Sequence, residues 1–147
     1  MDDRQNVIMK RLELLNGYLR ELKSLRSTDT QTYADNFLIR RAVERTLQLA
    51  AESSLDIGHQ IIAREGFRRP DDNKDVFVIL NEEGLLPSDL LLNLIQMARF
   101  RNLIVHDYAT IDDLAVHTIL QTRLGDFDRY AQAIVAYLSG SKRCPSS

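Results

Sequence analysis

The stretch TYADNFLIRRAVERTLQLAAESSLDIGHQIIARE, residues Thr32 to Glu65, contains no proline and one internal glycine. Phe37, Ala42, Leu47, Ala50, Ala51, Leu55, Ile57, Ile61 and Ile62 stand among regularly placed charges, a pattern that predicts one long helix. Its alanines permit close approach of a neighbouring helix, and Gly58 marks a bend or a tight contact. Gly66, followed by Phe67-Arg68-Arg69-Pro70, supplies the stop.

Outward from this frame the pattern stays helical. From Asp2 to about Leu25, Ile8, Leu12, Leu15, Leu19, Leu22 and Leu25 recur at three- and four-residue spacing, one stripe of a first helix. Asp2 and Asp3 suit its electropositive first turn, and Ser27-Thr28-Asp29-Thr30 reads as the connection that ends it. Asp71-Asp72-Asn73 can cap a short helix through Val76, Phe77, Ile79 and Leu80 that Gly84 terminates. The run Val76–Leu80 has strand-like composition, but its flanks favour helix. After Pro87-Ser88-Asp89, a fourth helix carries Leu90, Leu91, Leu94, Ile95, Met97, Ala98 and Leu103. Thr110 with Asp112 or Asp113 looks like the cap of a final helix to about Leu138, with Ile111, Leu114, Ile119, Leu124, Phe127, Ile134 and Leu138 toward the core. The expected fold is all-α, an antiparallel bundle of about five helices, with one domain over residues 1–139 and a disordered tail over 140–147.

Composition limits the function classes. The 147 residues are 44% hydrophobic, enough for one core. The lone Cys144 allows no intrachain disulfide and no cysteine metal cluster, which fits a reducing cytoplasm. Neither a signal-peptide layout nor a membrane-length apolar run is present, so the expected location is cytoplasmic. A formal net charge of −2 argues against coating nucleic acid through bulk positive charge. Any RNA contact is therefore local. Arginines cluster at Arg40, Arg41 and Arg45, at Arg64, Arg68 and Arg69, and at Arg99 with Arg101; these form either a basic groove or solvated helix faces with acidic neighbours.

The polar residues of Arg101-Asn102-Leu103-Ile104-Val105-His106-Asp107-Tyr108 end the fourth apolar run. On an ideal helix Asn102 and His106 lie about 40 degrees apart and Arg101 and His106 about 140 degrees apart, so the trio is no simple stripe. A guanidinium near an imidazole suits phosphodiester chemistry, the first neutralising oxyanion charge and the second exchanging protons near neutral pH. On residues alone the same cluster reads more readily as structural or solvated than as catalytic, with Asp107 capping locally and the Tyr108 hydroxyl in water.

The order of these residues, R-N-x-x-x-H-x-Y, resembles the R-x-x-x-x-H-x-Y signature of the HEPN family, specifically of HepT-like toxins, at Arg101, His106 and Tyr108. The resemblance extends from about Val7 to Phe127 through Ala42-Val43-Glu44-Arg45, Ala51-Glu52, the Gly66–Pro70 break and Asp112 onward. It implies an all-α homodimer whose paired arginines and histidines share one cleft. It further implies a metal-independent, cofactor-free endoribonuclease acting on RNA, with transfer RNA the substrate class. In it the ribose 2′-hydroxyl attacks the adjacent phosphate, His106 moves a proton, Arg101 holds the phosphate and Asn102 supports the geometry. The implied partner is an MntA-like, MNT-type nucleotidyltransferase antitoxin that adenylylates Tyr108, placing bulk and negative charge where RNA phosphate would sit. The alternative is a non-catalytic HEPN module that binds such a partner without cutting RNA.

Other candidates are bland. His59 and His117 have no second His or Cys at ligand spacing and read as structural or solvated. Glu52 and Asp56, four apart, could face a metal or substrate, but read more simply as surface charges or partners of arginines such as Arg45. Glu82-Glu83 and Asp71-Asp72 read as turn and cap residues. No glycine-rich phosphate loop, G-x-S-x-G or Cys-His pair gives nucleotide hydrolysis or serine or cysteine catalysis a foothold.

Overall fold

A computed structural model describes residues 3–140. The expected tail therefore lies almost wholly outside the described residues, as does Cys144. Among them the elements are α1 (Asp3–Leu25), α2 (Thr30–Asp35), α3 (Phe37–Glu65), α4 (Asn73–Glu82), α5 (Ser88–His106), a 3-10 turn (Tyr108–Thr110), α6 (Asp113–Thr122) and α7 (Leu124–Leu138). The all-α expectation holds, but five helices become seven.

Both extra breaks have local causes. Asn36 adopts an extended backbone, and its side chain accepts from Leu38 N at 3.1 Å and Ile39 N at 3.2 Å, so it caps α3 and separates it from α2. Asp29 caps α2 by accepting from Thr32 N at 2.7 Å. The second break falls at Arg123, whose φ of −115° and ψ of 0° interrupt the expected final helix between α6 and α7. The other boundaries follow the sequence. Gly66 ends α3 in the left-handed region at φ 69°, where a side chain would be strained. Asp72 and Asp112 cap α4 and α6 through Asp75 N and Leu114 N, each at 2.9 Å.

The long α3 touches each of the other six α-helices and so organises the core. Ile8, Leu12, Leu15, Leu19 and Leu22 bury the stripe of α1, and α1 runs antiparallel to α3, with Arg64 near the end of α3 donating to Gln5 near the start of α1 at 3.3 Å. The helix α7 is antiparallel to α5, since Arg129 meets Asp89 and Asp126 meets Asn93. Gly58 is the tight contact: a Cβ there would run into Val76 Cγ1 on α4 and come within 3.4 Å of the Tyr130 hydroxyl. Tyr130 donates to Ser54 O at 2.7 Å and meets Phe77 edge-on at 5.6 Å, tying α7, α3 and α4 together.

Among the apolar residues picked out from the sequence, Phe37, Ala42 and Leu114 are exposed. Phe37 and Leu114 are each 59% exposed, because Phe37 is the first residue of α3 and Leu114 lies in the first turn of α6, short of the packed stripes. His117 is structural, buried with its ring 5.0 Å from Tyr33 and its Nε2 2.8 Å from Thr28 O. Among the described residues no helix is long and apolar enough to cross a membrane.

Candidate active site

Arg101 and His106 both belong to α5, which lies against α3 and runs antiparallel to it: Arg101 faces Glu52, while Tyr108, just beyond α5, faces Glu44. The two ends of the R-x-x-x-x-H-x-Y segment therefore meet different parts of α3.

At the first end, Arg101 Nη1 donates to Asn102 Oδ1 at 3.2 Å, and Asn73 Nδ2 on α4 donates to the same oxygen at 3.3 Å. Asn102 thus holds Arg101 through its amide oxygen while α4 holds Asn102. Arg101 Nε, itself buried, sits 3.5 Å from Glu52 Oε1 without a hydrogen bond. Glu52 also accepts from Gln48 at 2.8 Å, so its partners are Arg101 and Gln48, whereas Arg45 had been the arginine expected beside it. Glu52, Asp56, His59, Asn73 and Arg101 surround a recess of about 150 Å³. The arginine is partly exposed there and can turn donors toward an anion brought to the recess.

His106 is the last residue of α5 and is exposed. Among the described residues no hydrogen bond or ion pair engages its imidazole, and none joins it to Arg101. One chain therefore links Arg101, Asn102 and Asn73 by hydrogen bonds, a network that His106 does not join among the described residues. Asp107 closes α5, its N–H donating to Leu103 O at 2.8 Å. The backbone then turns sharply and carries Tyr108 back toward α3.

Tyr108 is 41% exposed, but its hydroxyl is not left to water: it donates to Glu44 Oε1. Glu44 is only 3% exposed and pairs with Arg41 at 3.3 Å. The Arg41 guanidinium also lies over the Tyr108 ring, 5.2 Å from its centre, where ring quadrupole and cation attract. Burial first, then the hydrogen bond to Glu44 and its negative charge, push the Tyr108 phenol above its ordinary value. Arg40, Arg41, Glu44, Tyr108 and Asp113 line a shallow pocket of about 190 Å³. Arg40 is held at its rim by Asp113 at 3.4 Å and by the carbonyls of Tyr33 and Ala34.

Of the arginine clusters, the one at Arg40 and Arg41 thus faces Tyr108. Arg68 is committed elsewhere, binding Asp75 through two bonds of 2.8 Å and Glu82 through two of 3.0 Å. Glu82 is accordingly an ion-pair partner as well as a turn residue. Sequence reasoning missed Glu44 and Asn73. Glu44 had a signal: it lies three residues before Leu47 and seven before Ala51, so a charge interrupts the buried stripe of α3. Asn73 had none, because its contact with Asn102 spans two helices.

A family model described as Ribonuclease HepT-like matches residues 15–134. The chain is 28% identical over 132 residues to the tRNA nuclease HepT of Aphanizomenon flos-aquae, covering 90% of each. It is 26% identical over 132 residues to the mRNA nuclease HepT of Shewanella oneidensis, covering 89% of this chain and 98% of that one. Among solved structures, the tri-AMPylated Shewanella oneidensis HEPN toxin in complex with MNT antitoxin superposes with a TM-score of 0.82 at 25% identity, over 92% of this chain and 99% of that one. The fold is also that of YutE from Bacillus subtilis, a cytosolic protein of unknown function, with a TM-score of 0.76 at 20% identity over 90% and 91% of the two chains. Since the family model spans most of the sequence and the intact R-x-x-x-x-H-x-Y segment with it, this chain belongs to the HepT-like ribonuclease family.

Proposed function

We propose that the chain is the RNA-cleaving toxin of a toxin–antitoxin pair, an endoribonuclease neutralised by an MNT-type nucleotidyltransferase. Family membership over residues 15–134 together with an intact Arg101, His106 and Tyr108 carries the reading. Residues 1–139 form the toxin domain, which acts in the cytoplasm on RNA, with transfer RNA the preferred substrate as in the name of the Aphanizomenon flos-aquae relative.

The catalytic pair is Arg101 and His106, and the working unit is a homodimer. Its support is the geometry of one chain: Arg101 is held by Asn102, itself held by Asn73, while His106 is exposed at the end of α5 with no partner of its own among the described residues. A second copy placing its own α5 end alongside supplies another arginine and histidine to one cleft. There the guanidinium stabilises negative charge on the phosphate and the imidazole transfers a proton as the 2′-hydroxyl attacks. The products are a cyclic phosphate and a 5′-hydroxyl, so phosphorus keeps its oxidation state and water is not consumed in this step.

Tyr108 is the regulatory acceptor, in line with the tri-AMPylated state of the Shewanella oneidensis toxin. Adenylate on a residue two positions from His106 adds negative charge and bulk beside the cleft and excludes the RNA backbone. The test is induced expression of wild type, His106→Ala and Arg101→Ala with growth measurement. Growth arrest by wild type alone is expected; equal growth of all three would instead favour a module that binds its partner without cutting RNA.

A further inference from the structure

We infer that Glu44 is the proton acceptor for adenylate transfer onto Tyr108, so that the toxin chain itself supplies the base of its own inactivation. This rests on the reading of Tyr108 as the acceptor residue and adds to it a group on α3. The phenolic hydrogen already points at Glu44, because the Tyr108 hydroxyl donates to Oε1. Glu44 is buried to 3% exposure, and among the described residues its hydrogen bonds and ion pair are with Arg41 and Tyr108. A charged residue on the buried stripe of a helix is costly to keep unless it is paired, and both of its partners belong to this one pocket.

The electrostatics give the base a task. Burial and the neighbouring carboxylate make free tyrosinate harder to form, so the phenol reacts while giving up its proton and needs an acceptor in place. In the transfer, the Tyr108 oxygen forms a bond to the α-phosphorus of ATP and the bond from that phosphorus to the bridging oxygen breaks. The electron pair leaves with pyrophosphate, and the phenolic proton passes to Glu44. Arg41, over the ring face at 5.2 Å, stands beside the position where the α-phosphate must arrive and offsets its charge. The other charged or titratable groups around the phenol are Arg40 on α3, Tyr33 on α2 and Asp113 on α6.

The test is the rate of adenylate incorporation into full-length chain incubated with its nucleotidyltransferase and ATP, read by intact mass from pH 5.5 to 9. Wild type, Glu44→Gln and Glu44→Asp are compared after thermal melting shows each folded. Glu44→Gln keeps the size and a hydrogen-bond acceptor but cannot take the proton. Its rate at pH 7 is expected to fall at least about tenfold, in line with the usual contribution of a positioned base, and to climb with pH where wild type levels off; Glu44→Asp recovers part of the rate. A Glu44→Gln chain modified at the wild-type rate with the wild-type pH profile overturns the inference while leaving Tyr108 as acceptor. Wild-type chain that takes no adenylate on Tyr108 overturns the acceptor reading itself, and this inference with it. If Glu44→Gln does not fold, Arg41→Gln with wild type is the second comparison: with the cation that pairs with Glu44 removed, transfer is expected to slow and its pH profile to move to higher pH, and a profile identical to wild type overturns the assignment of the base to Glu44.

Discussion

Tyr108 donates its hydroxyl hydrogen to Glu44, a nearly buried carboxylate two helical turns before Glu52, the acidic neighbour of Arg101. Positions two turns apart on α3 thus hold the two ends of the R-x-x-x-x-H-x-Y segment, and the tyrosine is fixed by side chains from outside that segment. Tyr108→Phe removes one hydrogen bond and leaves the buried carboxylate with Arg41 as its remaining partner. Stability is expected to fall by about 1–3 kcal/mol in urea unfolding, the cost of leaving a buried acceptor unmet. The same variant should arrest growth even when the antitoxin is present, and growth fully restored by the antitoxin would mean that the switch lies elsewhere.

His106→Ala should behave in the opposite way. The imidazole is exposed and makes no hydrogen bond or ion pair among the described residues, so stability should change by less than about 0.5 kcal/mol. RNA cleavage should fall by about a hundredfold or more, the range of a lost acid or base. A variant equally stable and equally active would remove His106 from the chemistry.

Gly58→Ala tests the packing that positions α3 against α4. The added methyl meets Val76 Cγ1 and the Tyr130 hydroxyl. Overpacking of this kind costs about 1–3 kcal/mol, so the melting temperature should drop, and a melting curve identical to wild type would show that α4 yields freely.

The acid limb of stability should report Arg68. Its two hydrogen bonds hold the Asp75 carboxyl down from 3.8 to about 2. A carboxyl with a lowered folded-state value contributes stability that is fully present above its unfolded value and is lost as pH falls toward the folded one. Wild-type stability should therefore decline between about pH 4 and pH 2, and the decline should be shallower in Arg68→Ala. Parallel acid limbs for the two proteins would show that the pair contributes nothing in solution.

Association follows from the same geometry. If His106 is completed by a second chain, light scattering at micromolar concentration should give twice the chain mass, and a strictly monomeric protein that still cuts RNA would show that one chain suffices.

Much of this fold was legible because its signals are local. The stripe of α1, the left-handed Gly66 stop and the caps Asp72 and Asp112 each depend on residues within a turn or two of the boundary. The breaks at Asn36 and Arg123 were hidden because the apolar pattern passes across them with no Pro or Gly at either position. The site was half legible: the spacing of Arg101, His106 and Tyr108 marks the family, but Asn73, the partner of Asn102, and Glu44, the partner of Tyr108, lie 29 and 64 residues from them in the chain. Contacts of that kind depend on how helices pack, which spacing does not encode. Glu52 was noticed as a carboxylate on α3, yet the arginine beside it comes from α5 and not from its own helix.

The most direct measurement incubates purified wild-type, His106→Ala and Arg101→Ala chains with deproteinised transfer RNA in the presence of a chelator and maps the ends of the products. Discrete fragments bearing cyclic phosphate and 5′-hydroxyl ends are expected from wild type alone. Intact RNA with wild type, or the same fragments from the His106→Ala chain, would contradict an endoribonuclease built on Arg101 and His106.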